Sequence, residues 1–189
     1  MRTVEYPISA YGCGFGPEWG TMPHEVAWLV WKASQSIGSI VEIGVWKGRT
    51  TKYLATEFPH RTVYAVDLPA GQSTYHETNV ACCEEAIGLR NVSLHRVGND
   101  FIIPYDTTFI YIDGDHTRAG VEADTRKAVF HFMVSTPPGG TIVWHDYHPN
   151  VDDIDPRCHS DFHELKAYLD KLPLDIQHVY GTRLAFCDF

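Results

Sequence analysis

The stretch Ile40-Val41-Glu42-Ile43-Gly44-Val45-Trp46-Lys47-Gly48 decides the fold. Its first half is a short apolar, β-branched run of the kind that forms a buried strand. Two glycines then interrupt it, and a helix-like spacing begins. A strand, a tight glycine turn and a helix make a backbone corner whose N–H groups point at one spot. The helix dipole makes that spot mildly positive. Gly44 and Gly48 allow close approach and φ angles that side chains resist. Glu42 sets an acid at the C-terminal end of the strand, where ligands of open α/β sheets bind. The corner suits a small ligand with carboxylate and amino or hydroxyl groups, such as an amino-acid nucleoside, better than a bare pyrophosphate.

Working outward, strands and helices alternate along the chain. Thr21-Met22-Pro23-His24-Glu25 reads as a helix start with Pro in the first turn; the helix buries Val26, Leu29, Val30 and Ala33, and Gly38 stops it. The first strand spans 39–44 and the helix after it 48–57. A second strand, 62–67, ends at Asp67, and 75–88 reads as a helix with Val80, Cys83 and Ile87 on one face. Strands at 91–97 and 108–113 follow, then a helix over 117–133 with Val121, Thr125, Ala128 and Phe132 inward. Pro137-Pro138-Gly139-Gly140 leads into a strand at 141–146. A polar loop, 147–158, precedes a helix at 160–172, and 175–180 with 182–188 form a hairpin about Gly181. Short connectors and nearly continuous apolar strands imply a parallel sheet covered on both faces. The expected fold is α/β: a doubly wound, Rossmann-like seven-stranded sheet, mostly parallel, with a C-terminal antiparallel hairpin. Residues 1–20 form a glycine-rich lead-in or lid, and residues 21–189 one domain.

Composition narrows the partners. With 24 acidic residues against 15 Lys and Arg, the formal charge is -9, so neither a nucleic acid nor an anionic membrane is an expected partner. The five cysteines form no C-x-x-C pair, which argues against a disulfide framework or a zinc finger and for reduced thiols in a cytoplasmic protein. No apolar run approaches a membrane span. A small-molecule substrate is the expected partner, and a homo-oligomer stays open.

Acids recur at strand ends: Glu42, Asp67, Asp113 and Asp146 each close a different strand. In an open parallel sheet these ends lie along one edge, where the ligand crevice forms. The plainer reading is that strands stop at polar residues; four in register weigh against it.

Glu42-Ile-Gly44-Val-Trp-Lys-Gly48, Val66-Asp67, Ile112-Asp113-Gly114-Asp115-His116 and Gly139-Gly140-Thr-Ile-Val-Trp-His145-Asp146-Tyr147 resemble the class I S-adenosylmethionine-dependent methyltransferases. The resemblance is to the small-molecule O-methyltransferase branch, related to macrolide-sugar and catechol-type enzymes, and spans residues 21–189. Trp46-Lys47 stands where the commoner G-x-G-x-G turn has its middle glycine. The resemblance implies S-adenosyl-L-methionine as cofactor. Glu42 and Gly44 would lie against its methionine part, Trp46 would line the crevice, and the N–H groups near Lys47, Gly48 and Arg49 would face its carboxylate. Asp67 would accept the ribose hydroxyls, Asn99 would flank the adenine, and Asp113 would border the same pocket. No G-x-G-x-x-G fingerprint is present, which counts against NAD.

Asp113, Asp115, His116, His145 and Asp146 are expected to converge from two neighbouring strand ends. By resemblance, Asp113 and Asp146 would hold Mg²⁺ or another divalent cation, which lowers the pKa of a substrate hydroxyl. Carboxylates suit Mg²⁺, whereas a histidine at position 145 suits Zn, Mn or Fe. A metal-free route would use His116 or His145 as general base, beside Asp113. Asp115-His116 reads equally as a cap for the helix at 117. Asp124 and Arg126 read as a solvated face, and Trp46 and Trp144 as crevice walls. The rival function is a protein of this fold that binds S-adenosylmethionine or S-adenosylhomocysteine without transferring a methyl group.

Overall fold

The computed structural model describes residues 2–4, 21–68, 88–97, 100–134, 139–150 and 159–189, with 2–4 and 159–162 as backbone. The helix expected at 75–88, Asn99, most of the glycine-rich lead-in and the end of the loop after the fifth expected strand lie outside the described residues. In chain order the elements are β1 Arg2–Val4, α1 Pro23–Ala33, β2 Ser39–Ile43, α2 Arg49–Glu57, β3 Val63–Asp67 and β4 Val92–Arg96. They continue with β5 Thr107–Ile112, α3 Arg118–Val134, β6 Thr141–Trp144, α4 His159–Leu169, β7 Gln177–Val179 and β8 Ala185–Asp188.

The strands form one sheet in the order β1-β7-β8-β6-β5-β2-β3-β4. Every pairing is parallel except those of β8 with β6 and with β7. The seven strands expected from the sequence are all present. An eighth, β1, extends one edge by pairing with β7, so part of the expected lead-in is sheet.

Period-two alternation fills the two faces. Ile40, Phe109, Tyr111 and Val143 pack with Trp28, Leu29 and Ala33 of α1 and Leu54 and Ala55 of α2. Val41, Ile43, Ile110, Ile112, Ile142 and Trp144 pack on the other face with Val121 and Ala128 of α3 and Leu165 and Leu169 of α4. Strands buried on both sides cannot alternate polar and apolar residues, which is why they read as continuous apolar runs.

The inner face of α1 differs from expectation. Glu25, Trp28, Leu29, Lys32 and Ala33 are buried, while Val26 and Val30 are half-buried. Two charged side chains turn the helix inward. Lys32 Nζ lies 2.8 Å from Asp188 and over the Phe186 ring, and Glu25 reaches partners at the sheet edge. On α3, Asp124 is buried rather than solvated, whereas Arg126 is exposed and pairs with Glu122 at 2.7 Å. Among the described residues no helix is long and apolar enough to cross a membrane.

Candidate functional site

From β2 the chain proceeds to β3 on one side, while β5 lies on the other. This makes the β2–β5 boundary the topological switch point, where open α/β sheets form their crevice. Asp113 N–H donates to the Ile43 carbonyl at 2.7 Å, and Gly44 N–H to the Val66 carbonyl at 2.8 Å. Gly44 has φ +88°, and a Cβ built on it would lie 2.0 Å from the Asp113 carbonyl oxygen. Only glycine fits there, so the turn after β2 and the residues after β5 are in direct contact.

The turn itself is held by Asp67. Its Oδ2 accepts the N–H groups of Val45 (3.2 Å) and Trp46 (3.0 Å), and its Oδ1 accepts that of Leu68 (2.7 Å). Trp46 has φ 44°. The position where tryptophan replaces the middle glycine of the commoner turn does adopt a glycine-like backbone, and the tryptophan bears the strain. Lys47 Nζ lies 4.6 Å from the Trp46 ring centroid. Gly48, at φ 69°, caps α2. Glu42 is 2% exposed and accepts the Thr51 hydroxyl. Burial, with Asp113 and Asp67 adding to it, pushes its carboxyl up to about 8 against the opposing Thr51 bond.

Beside this turn the ends of β5 and β6 bring Asp113, His116, His145 and Asp146 together. His145 Nδ1 lies 3.1 Å from Asp113 Oδ1 and 3.1 Å from Asp146 Oδ1, without hydrogen-bond geometry to either. His116 Nε2 lies 3.1 Å from Asp146 Oδ2 and 3.6 Å from Asp113 Oδ1. One donor atom each from Asp113, His145 and Asp146 falls within 4.8 Å of the others. Asp146 has φ 57°, a conformation aspartate tolerates better than most residues.

Burial works against charge here, yet opposite charges outweigh it. Burial would lower the basicity of His145, but Asp113 and Asp146 raise it well above the usual histidine range. Burial would likewise raise Asp113, but His145 and His116 hold it well below the usual carboxylate range. Asp146 is lowered in the same way, chiefly by His145.

Three further groups support the cluster from behind; Tyr111 and Glu25 are buried and Arg183 is partly exposed. Tyr111 donates its hydroxyl to Asp113 Oδ2 at 3.2 Å and also meets Thr21 Oγ1 at 2.8 Å. Arg183 Nη1 lies 3.1 Å from Asp146 Oδ1. Glu25 Oε2 lies 3.1 Å from His145 Nε2. Glu25 and His145 are 120 positions apart and Glu25 and Arg183 are 158 apart, so no local spacing could have joined them. Thr21, expected to start α1, is spent on Tyr111 instead, while Glu25 accepts the Met22 N–H at 2.7 Å and closes the helix start.

Two other expectations are corrected. Asp115 is exposed and turned away, accepting the Thr117 N–H (2.8 Å) and hydroxyl (2.9 Å) at the start of α3. The helix is capped by Thr117 rather than by Asp115: the Thr117 hydroxyl accepts the Gly120 N–H at 3.2 Å, and Asp115 braces Thr117 from outside the helix. Trp144 lines no crevice. It is fully buried and donates its indole N–H to Thr125 at 2.9 Å, since its position in β6 points to the α3 face.

Residues 41–147 match the family model described as "Methyltransferase domain". No curated protein matches the sequence. Among solved structures, the SAH-bound methyltransferase PaMTH1 from Podospora anserina is 14% identical with a TM-score of 0.62, over 88% of this chain and 78% of that one. Cofactor-bound Rv0187 from MTB is 14% identical with a TM-score of 0.65, over 90% and 81%. The SAM-bound O-methyltransferase TomG from Streptomyces achromogenes, involved in tomaymycin synthesis, is 16% identical with a TM-score of 0.58, over 92% and 82%. At these identities the likeness is one of fold.

Proposed function

Because the chain belongs to the methyltransferase-domain family, we propose that it transfers a methyl group from S-adenosyl-L-methionine to an oxygen of a small-molecule acceptor, with a divalent cation assisting. The observation that carries this is the contact of Gly44 with Asp113. It sets a cofactor-type turn directly against a cluster of two acids and two imidazoles. Solved structures of this fold with S-adenosylmethionine or S-adenosylhomocysteine bound support the cofactor.

In this reading Glu42, Gly44, Trp46, Lys47 and Gly48 surround the methionine part of the cofactor. Asp67 keeps lone pairs for ribose hydroxyls beyond those it gives the turn, and Asn99, outside the described residues, is proposed as the adenine's neighbour from the sequence alone. S-adenosylmethionine, when bound, supplies an electrophilic methyl group on a sulfonium. Asp113, His145 Nδ1 and Asp146 are the groups that would hold the cation. The fit rests on a buried ring nitrogen aimed at two carboxylates without making a hydrogen bond to either. One imidazole and two carboxylates suit Mn, Fe or Zn better than Mg. Such a cation supplies Lewis acidity that lowers the pKa of an acceptor hydroxyl.

The proton leaving that hydroxyl needs an acceptor within the site. His116 is the better placed imidazole, with about a third of its side chain exposed against 2% for His145. Its Nε2 lies 3.1 Å from Asp146 and 3.6 Å from Asp113, which places the ring beside the acids of the site. His145 is committed between Glu25 and the two aspartates.

Methyl transfer to a panel of hydroxylated small molecules, before and after chelation, tests this reading. Activity lost on chelation and restored by Mn²⁺ is expected. Activity that survives chelation but vanishes in His116→Ala would leave a metal-free general-base route. Cofactor binding without any turnover would make the protein a binder of this fold.

A further inference from the structure

Glu25 is a carboxylate with four contacts behind the site, and its partners determine what its neighbour presents. Its Oε2 accepts the Met22 N–H at 2.7 Å and lies 3.3 Å from Arg183 Nη2, and its Oε1 accepts the Arg183 N–H at 2.7 Å. His145 Nε2, at 3.1 Å from Oε2, is the fourth contact. Glu25 is 1% exposed and His145 is 3% exposed. Glu25 Oε2 already accepts from Met22 and Arg183, so it faces His145 as an acceptor and the contact is closed by a proton on His145 Nε2. The opposite ring atom, Nδ1, is thereby directed between Asp113 Oδ1 and Asp146 Oδ1, at 3.1 Å from each.

We propose that Glu25 is a positioning residue for the cation site: it holds the Nε2 proton of His145 and so turns Nδ1, which gives up its own proton to solvent when a cation binds, toward a divalent cation shared with Asp113 and Asp146. This rests on the reading of those three residues as cation ligands. Carboxylates that orient ligating imidazoles in this way typically change metal affinity about 10–100-fold when removed. The geometry also spans the molecule. Glu25 ties the start of α1 and the β7–β8 turn, through Arg183, to the end of β6.

The test uses the full chain, with Mn²⁺ and Zn²⁺ as probes in titration calorimetry. Variants are Glu25→Gln, His145→Ala and the double variant. Glu25→Gln keeps size and one acceptor but offers His145 an amide N–H in place of an oxygen. The expected result is an affinity about tenfold or more below the parent, with no further loss when Glu25→Gln is added to His145→Ala. S-adenosylmethionine affinity should stay within about twofold, since Glu25 acts through His145. In ¹⁵N-labelled protein without metal, the His145 Hε2 proton should exchange slowly in the parent and be lost in Glu25→Gln.

Equal metal affinity in Glu25→Gln with Hε2 intact would overturn the proposal. So would an equal loss from Glu25→Gln with and without His145. If the parent binds neither ion, the cation reading fails, and the Hε2 signal alone decides whether Glu25 holds His145. Should Glu25→Gln not fold, Glu25→Asp, which keeps the charge but shortens the reach, answers with the same readouts.

Discussion

At the scale of single residues the site is built from groups held away from their ordinary behaviour. Glu42 is the clearest case. Its carboxyl ionises near 8 in the folded chain against an ordinary 4.5. The folded state therefore prefers the protonated acid. Its stabilising effect is complete below about pH 4.5 and disappears as pH rises to about 8. Glu42→Gln, which stays neutral, should remove that slope. Between pH 5 and pH 8.5 the parent should lose on the order of a few kcal/mol relative to the variant, read from urea unfolding at the two pH values. An equal pH dependence in both would show Glu42 ionised in the folded chain. Trp46 is a second case. Trp46→Gly relieves a left-handed φ worth roughly 1–2 kcal/mol but loosens the unfolded chain by a comparable amount. Net stability should move by less than about 1 kcal/mol, while cofactor affinity falls if the indole lines the pocket. Asp146→Asn and Asp113→Asn should each weaken divalent-ion binding without unfolding the chain, because asparagine also tolerates the φ of 57° at position 146.

At the scale of elements, close approach sets what cannot change. Gly44→Ala would force a Cβ within 2.0 Å of the Asp113 carbonyl oxygen at a φ of +88°. A loss of about 3 kcal/mol or more in thermal or urea unfolding is expected; a near-neutral variant would mean that the β2 and β5 ends are not in contact. Arg61 offers a comparison away from the site, since it donates to the Ala33, Ser36 and Gly38 carbonyls at the end of α1. Arg61→Ala should cost roughly 2–4 kcal/mol yet leave cofactor affinity unchanged. The elements themselves were legible in the sequence because strands buried on both faces stand out as apolar runs between glycine and proline breaks. The inward face of α1 was not. Its orientation is set by Lys32 and Glu25 seeking Asp188, His145 and Arg183, partners that local periodicity does not encode. Asp124 was misplaced for a similar reason: burial under Gly114, where a Cβ would meet its Oδ2 at 3.2 Å, depends on a loop that follows β5.

Across the whole molecule, strand order does the assembling. The strand-end acids Glu42, Asp67, Asp113 and Asp146 were legible as one edge of a parallel sheet, and the order of strands makes the β2–β5 boundary the crevice. The supports behind that edge, Tyr111, Glu25 and Arg183, come from three separate regions of the chain and became visible only once the sheet had gathered them. Calorimetric titration of the full chain with S-adenosylmethionine, S-adenosylhomocysteine and NAD compares the proposed ligand with the common alternative for a doubly wound sheet. One site per chain is expected for the first two and no heat with NAD, with Asp67→Ala weakening the nucleosides by roughly 2–4 kcal/mol. Binding of NAD with no response to either methionine nucleoside would contradict it.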